Sequence, residues 1–126
     1  MLIPHLHFYG DCKKAIDLYE KAFNTKVDNI DYCDTNDNRV NHASIKIHGQ
    51  TVFLNDNDAM FNVKDISLNF PVHIIIYFQT EEELLACYEI LKDGDTTNNP
   101  FKKTSYSVLV GNFKDKFGIL WGFMVE

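Results

Sequence analysis

The chain has 126 residues, enough for one domain that buries about two-thirds of the surface its unfolded form exposes. A hydrophobic fraction of 45% and an aromatic fraction of 13% give no compositional case for disorder. Net charge is −6, Arg39 is the single arginine, and Lys13-Lys14 and Lys102-Lys103 are isolated pairs, so nucleic acid is not an expected partner.

Leu2 to Tyr9 reads as a first strand, with His5 and His7 on one face and Leu6 and Phe8 on the other. Pro4, His5 and His7 interrupt any basic-then-apolar layout of a secretory signal. Asp11 is placed to cap a helix, its side chain accepting from free N–H groups of the first turn. Ile16, Tyr19, Ala22 and Phe23 then recur at helical spacing, a stripe suited to lie on a sheet. Lys26 to Tyr32 and Asn41 to Ile47 are candidate strands around the polar loop Asp34 to Arg39. His48-Gly49-Gln50 is a turn, and Thr51 to Asn55 a fourth strand.

Asp56 to Pro71 lacks periodicity and reads as a connection with room for a short helix. Val72 to Phe78 is a buried-type strand, and its apolar run is far too short to cross a bilayer. Thr80 with Glu83 forms a capping box, and Glu81 to Glu83 suit a helix N-terminus. Leu84, Leu85, Tyr88 and Leu91 give the apolar face, and Gly94 ends the helix. After a weak strand or loop from Asp95 to Lys103, Ser105 to Phe113 reads as a strand. Asp115-Lys116-Phe117-Gly118 follows as a turn, and Ile119 to Val125 as a closing strand.

The two halves repeat at one offset. Tyr19-Glu20 and Tyr88-Glu89, the caps Asp11 and Thr80, and the turn glycines Gly49 and Gly118 are each 69 positions apart (19 to 88, 11 to 80, 49 to 118). This points to a duplicated βαβββ unit. Each helix can cover only one face of its sheet, which leaves the other for a ligand or a partner. Cys12, Cys33 and Cys87 form no CxxC pattern and cannot all pair, as expected of reduced thiols in a cytoplasmic protein.

In the C-terminal stretch, Thr104, Tyr106, Gly111, Phe113, Asp115, Phe117-Gly118 and Trp121 resemble the signature of the PhnB-like branch of the glyoxalase/bleomycin-resistance (vicinal oxygen chelate) superfamily. Pro4, Leu6, Phe8, Gly10-Asp11-Cys12, Ala15, Tyr19 and Phe23 resemble its opening strand and helix. His42-Ala43, Gly49 and Leu54-Asn55-Asp56 resemble its middle strands. The resemblance implies an α+β fold of two tandem βαβββ modules forming a curved mixed sheet around a cup-shaped cavity. The single domain spans 1–126, with module one at about 1–56, a linker at about 57–71 and module two at about 72–126. It also implies a homodimer.

Metal-binding relatives place their ligands on the first and last strand of each module. By resemblance the first of these positions is Pro4, which the offset carries to His73; the last-strand positions are Phe53 and Gly122. A one-residue slip in the first strand brings His5 to the cavity in place of Pro4. Neither register supplies a carboxylate, so no metal and no cofactor is expected.

The expected ligand-binding residues are His73, Tyr106, His42, Phe8 and Phe53. His73 either lines the cavity as a satisfied histidine or acts as an acid or base. His42 either contacts a ligand or ties down its loop. Cys12 and Cys87 show no base partner in sequence and are not expected nucleophiles. Three functions follow: a metal-independent binder of a small organic ligand, an enzyme using His73 on an oxygen-rich small molecule (or a divalent-metal site including it), and a dimeric scaffold. No glycine-rich nucleotide loop follows a strand, which weighs against methyl transfer.

Overall fold

The computed structural model describes residues 1–34, 38–57, 72–95, 97 and 100–126. The expected connection at 57–71 therefore lies outside the described residues except for Asn57. The chain divides into two compact units, Met1–Ile66 and Ser67–Glu126.

The first unit runs β1 (His5–Phe8), α1 (Cys12–Ala22), β2 (Val27–Tyr32), β3 (Val40–Ile47) and β4 (Gln50–Asp56). Its mixed sheet has the order β1-β4-β3-β2, with β1 parallel to β4 and the other pairs antiparallel. The second unit runs β5 (Ile74–Phe78), α2 (Glu81–Leu91), β6 (Val110–Lys114) and β7 (Leu120–Val125), in sheet order β5-β7-β6. Here β5 is parallel to β7, and β6 is antiparallel to it. The place of a fourth strand is taken by one bridge between Lys102 and Val110. Among the described residues no helix is long and apolar enough to cross a membrane.

Alternation builds both cores. In the first unit Leu6, Phe8, Val52, Leu54, Ala43 and Ile45 turn to the helix side, where Ile16 and Tyr19 of α1 are fully buried. In the second, Phe78, Phe113, Trp121 and Phe123 form an aromatic core. Leu84, Cys87 and Leu91 of α2 are buried as well, whereas Leu85, expected on the apolar face, is exposed. Gly111 makes room for Phe101: a Cβ there would lie 2.3 Å from the Phe101 ring.

A buried aspartate ties each unit together at a different place. Asp56 accepts from the backbone N–H of Gly10 (2.7 Å), Cys12 (3.1 Å) and Val40 (2.9 Å), joining the start of α1 to the start of β3. Asp115 accepts from the N–H of Phe117 (2.9 Å) and Ile119 (3.0 Å) and from Trp121 Nε1 (2.9 Å). The signature residues Asp115 and Trp121 thus set the β6–β7 turn.

Thr80 caps α2 as expected, its hydroxyl accepting from Glu83 N–H at 3.2 Å. Asp11 occupies the corresponding position of α1 but makes no side-chain cap bond. Its backbone (φ −101°, ψ 7°) is not the extended shape in which a cap side chain folds back, and Asp56 takes the Cys12 N–H instead.

The offset of 69 holds for both helices and for β4 against β7, but not for every strand. His5 pairs with Phe53 as Ile75 pairs with Gly122, which sets the first strands 70 apart. Two residues separate β1 from Asp11, whereas Gln79 alone separates β5 from Thr80. Ser44 pairs with Phe53 as Asn112 pairs with Gly122, so β3 and β6 are 68 apart. The three-residue turn 116–118 replaces the two-residue turn His48-Gly49 there.

The expected strand Ser105 to Phe113 shrinks to its C-terminal half. Hydroxyls compete for the backbone before it: Tyr106 N–H donates to Thr104 Oγ1 (3.4 Å), and the single O–H of Ser107 lies within reach of the carbonyls of both Leu109 and Val125. Residues 104–109 therefore bend, and β6 begins at Val110.

Candidate functional site

In the first unit, β1 sends Leu6 and Phe8 under the helix and His5 and His7 to the opposite face. The parallel ladder sets His5 beside Phe53 and His7 beside Asn55. His42 of β3 joins them, its ring 4.7 Å from that of Phe53. The His5 ring stacks on His7 at 4.3 Å and meets Phe53 edge-on at 6.0 Å and His42 edge-on at 6.3 Å. Three imidazoles and a phenyl ring thus share one patch.

Amides border it. Asn57 Oδ1 lies 2.9 Å from His7 Nδ1 and accepts from Asn55 Nδ2 at 3.2 Å. Asn55 Oδ1 is buried without a hydrogen-bond partner among the described residues. Partial burial, then the charges His7 and His42 would carry, hold the His5 imidazole below the ordinary histidine value of 6.5; the Asn55 side chain pulls the other way.

In the second unit, His73, Ile75 and Tyr77 alternate onto the face opposite α2, and Gly122 lies beside Ile75. A Cβ on Gly122 would stand 3.1 Å from Asn112 Oδ1, 3.4 Å from Ile75 Cγ1 and 3.5 Å from His73 Nε2. The missing side chain lets an imidazole and an amide reach over the strand together.

This geometry revises the expected site. His42 and Phe53 come together as neighbours, with His5, rather than Pro4, beside Phe53. Phe8 belongs to the helix-side core instead, 3% exposed with its ring 6.5 Å from Tyr19. Tyr106 is 68% exposed on the bend before β6, not on a strand. His73 precedes β5 by one residue, and Ile75 stands where the first unit has His5. Sequence reading passed over Asn55, Asn57 and Asn112; strand alternation marked the faces of Asn55 and Asn112, but amides on strands carry no distinctive spacing. Burial, reinforced in Cys12 by Asp56, pushes the thiols of Cys12 and Cys87 up to about 12, so neither supplies a thiolate nucleophile near neutrality.

The ladder-defined positions on the first and last strand of each unit are His5, Phe53, Ile75 and Gly122. One imidazole, two hydrocarbon side chains and a glycine do not fit a divalent cation, which needs about three or more protein donors. Adding His73 brings the donors to two imidazoles and no carboxylate. Among the described residues, no group of three or more His, Cys, Asp and Glu is arranged to hold a metal.

Residues 2–123 match the family model of the Glyoxalase/Bleomycin resistance protein/Dioxygenase superfamily. The chain belongs to this superfamily. Among solved structures it is similar to the PhnB protein from Bacillus cereus, at 21% identity and TM-score 0.85, covering 99% of this chain and 98% of that one. A glyoxylase/bleomycin resistance protein/dioxygenase domain from Frankia sp. EAN1pec matches at 18% identity and TM-score 0.73, over 99% and 95% of the two chains. FosX, a fosfomycin resistance protein from Listeria monocytogenes complexed with Mn(II) and sulfate, matches at 15% identity and TM-score 0.66, over 100% and 91%. These likenesses establish the superfamily's fold. No match was found among curated protein sequences.

Proposed function

We propose that this glyoxalase-superfamily protein binds a small organic ligand on a helix-free sheet face without a divalent metal. One observation supports the reading: the paired positions on the first and last strand of each unit, His5 beside Phe53 and Ile75 beside Gly122, offer a single donor, and so do Pro4, Phe53, His73 and Gly122, the positions that the resemblance gives to metal ligands. In place of ligands the first unit presents apolar and polar groups side by side, the composition of a small-molecule site. Homodimer formation and cytoplasmic residence complete the proposal; the three free cysteines suit a reducing compartment.

Thermal melting of chelator-treated protein against a panel of aromatic and aliphatic small molecules tests it. A ligand at about 100 times its Kd should add about 2.7 kcal/mol of stability and raise the melting temperature accordingly. A panel that leaves melting unmoved throughout counts against the reading. Light scattering that finds only monomer at micromolar concentration removes the dimer.

A second reading draws on the position of His73 Nε2 beside Asn112 Oδ1 over Gly122. There the imidazole can exchange a proton with an oxygen-rich substrate while the amide orients it. With a substrate in hand, His73→Ala should abolish turnover and leave melting unchanged; full turnover in that variant would take His73 out of the mechanism.

A further inference from the structure

We propose that the imidazole cluster of the first unit recognises an acidic group, a carboxylate, on the ligand, with His5 and His42 as its charge partners and Phe53 as the apolar surface beneath the ligand's body. This rests on the ligand-binding reading and names the class of ligand.

His5 and His42 both flank Phe53, at 6.0 and 4.7 Å between ring centroids, and His7 stacks on His5. Among the described residues no carboxylate holds any of the three rings. Asp31, the cross-strand neighbour of His42, is engaged by the Asn41 amide at 3.0 Å. Lys46, further along β3, is paired with Asp28 at 3.1 Å. Arg39 donates to the Asn57 carbonyl. Among the described residues the imidazoles are thus basic groups gathered without a counter-charge, in a chain of net charge −6.

His7 and His42 oppose the protonation of His5, and an anion set among the rings reverses that balance, since an opposite charge within a few ångströms favours the charged form. Asn55 Oδ1, buried without a partner among the described residues, fits the same arrangement. It is an acceptor on the face of His5, and a protonated His5 supplies the N–H it lacks. Binding should therefore take up a proton. A neutral isostere of the same shape gains nothing from it.

Benzoate and its neutral isostere benzamide are suitable probes of the full-length protein, followed through the histidine ring signals by NMR. Benzoate should perturb His5 and His42 and bind more tightly as pH falls from about 8 to about 6, by up to about tenfold per pH unit, the slope that one proton taken up per ligand produces. Benzamide should show no such change. His5→Gln with His42→Gln should erase the benzoate preference, whereas His48→Gln, in the β3–β4 turn, should keep it; melting curves verify that each variant folds. Equal, pH-independent binding of the two probes would overturn the acidic-group assignment and leave ligand binding standing. Failure of both probes at millimolar concentration would count against both readings. Loss of benzoate binding on adding a chelator would also overturn the proposal, because it would place a metal in the site.

Discussion

The first unit carries three imidazoles on the sheet face opposite its helix; the second carries Ile75, Tyr77 and Gly122 there, with His73 at the edge. The helix sides differ far less, both being closely packed and apolar. Two copies of one plan have kept what packing demands and diverged where it demands little. A residue under the helix touches many neighbours and cannot change volume cheaply, while a residue on the free face is limited mainly by what it must bind. The contrast is in accord with the proposal that the free faces bind ligand, and it gives the two faces different side chains.

The largest effects should come from the two aspartate ties, which hold each unit by its own means. Asp56→Ala strands three backbone N–H groups, and Asp115→Ala strands two together with the Trp121 indole. Each should cost about 3 kcal/mol in urea unfolding, and Asp115→Asn should recover part of that. A loss below about 1 kcal/mol in either alanine variant would remove the corresponding tie from the account.

The helix caps give a smaller and sharper contrast. Thr80→Ala should cost about 1 kcal/mol, whereas Asp11→Ala should cost a few tenths at most (about 0.3), because only Thr80 makes a cap bond. Equal losses would mean that the two helices start alike.

The smallest effect is a pH dependence belonging to the first unit. His5 is held below 6.5 when folded, so the unfolded chain takes up that proton more readily. Stability should therefore fall as pH drops from 6.5 through the folded value, and be regained above 6.5. His5→Gln should flatten this part of the melting profile. His7→Gln or His42→Gln should shrink it by relieving repulsion. A profile that is the same in all three variants would deny the coupling of the cluster.

Much of this fold is legible in the sequence because its signals are local. Alternation separates His5 and His7 from Leu6 and Phe8, and Thr80 with Glu83 announces α2. Legibility stops where register depends on a single residue. One extra residue before α1 and one in the β6–β7 turn shift neighbouring strands by a position each; the first of these makes Ile75, rather than the Ile74 of a constant offset, the counterpart of His5. Phe8, expected at the cavity, packs on the helix side instead, because a family motif marks a position without saying which face it serves. Tyr106 sits in a segment whose strand propensity is overridden by the hydroxyls of Thr104 and Ser107.

The most direct measurement is metal content after dialysis against Mn(II) and Zn(II), read by mass spectrometry beside the melting temperature with and without chelator. The account predicts no stoichiometric ion and a melting temperature that the chelator leaves in place. One tightly held ion per chain, lost on His5→Ala or His73→Ala, would contradict it.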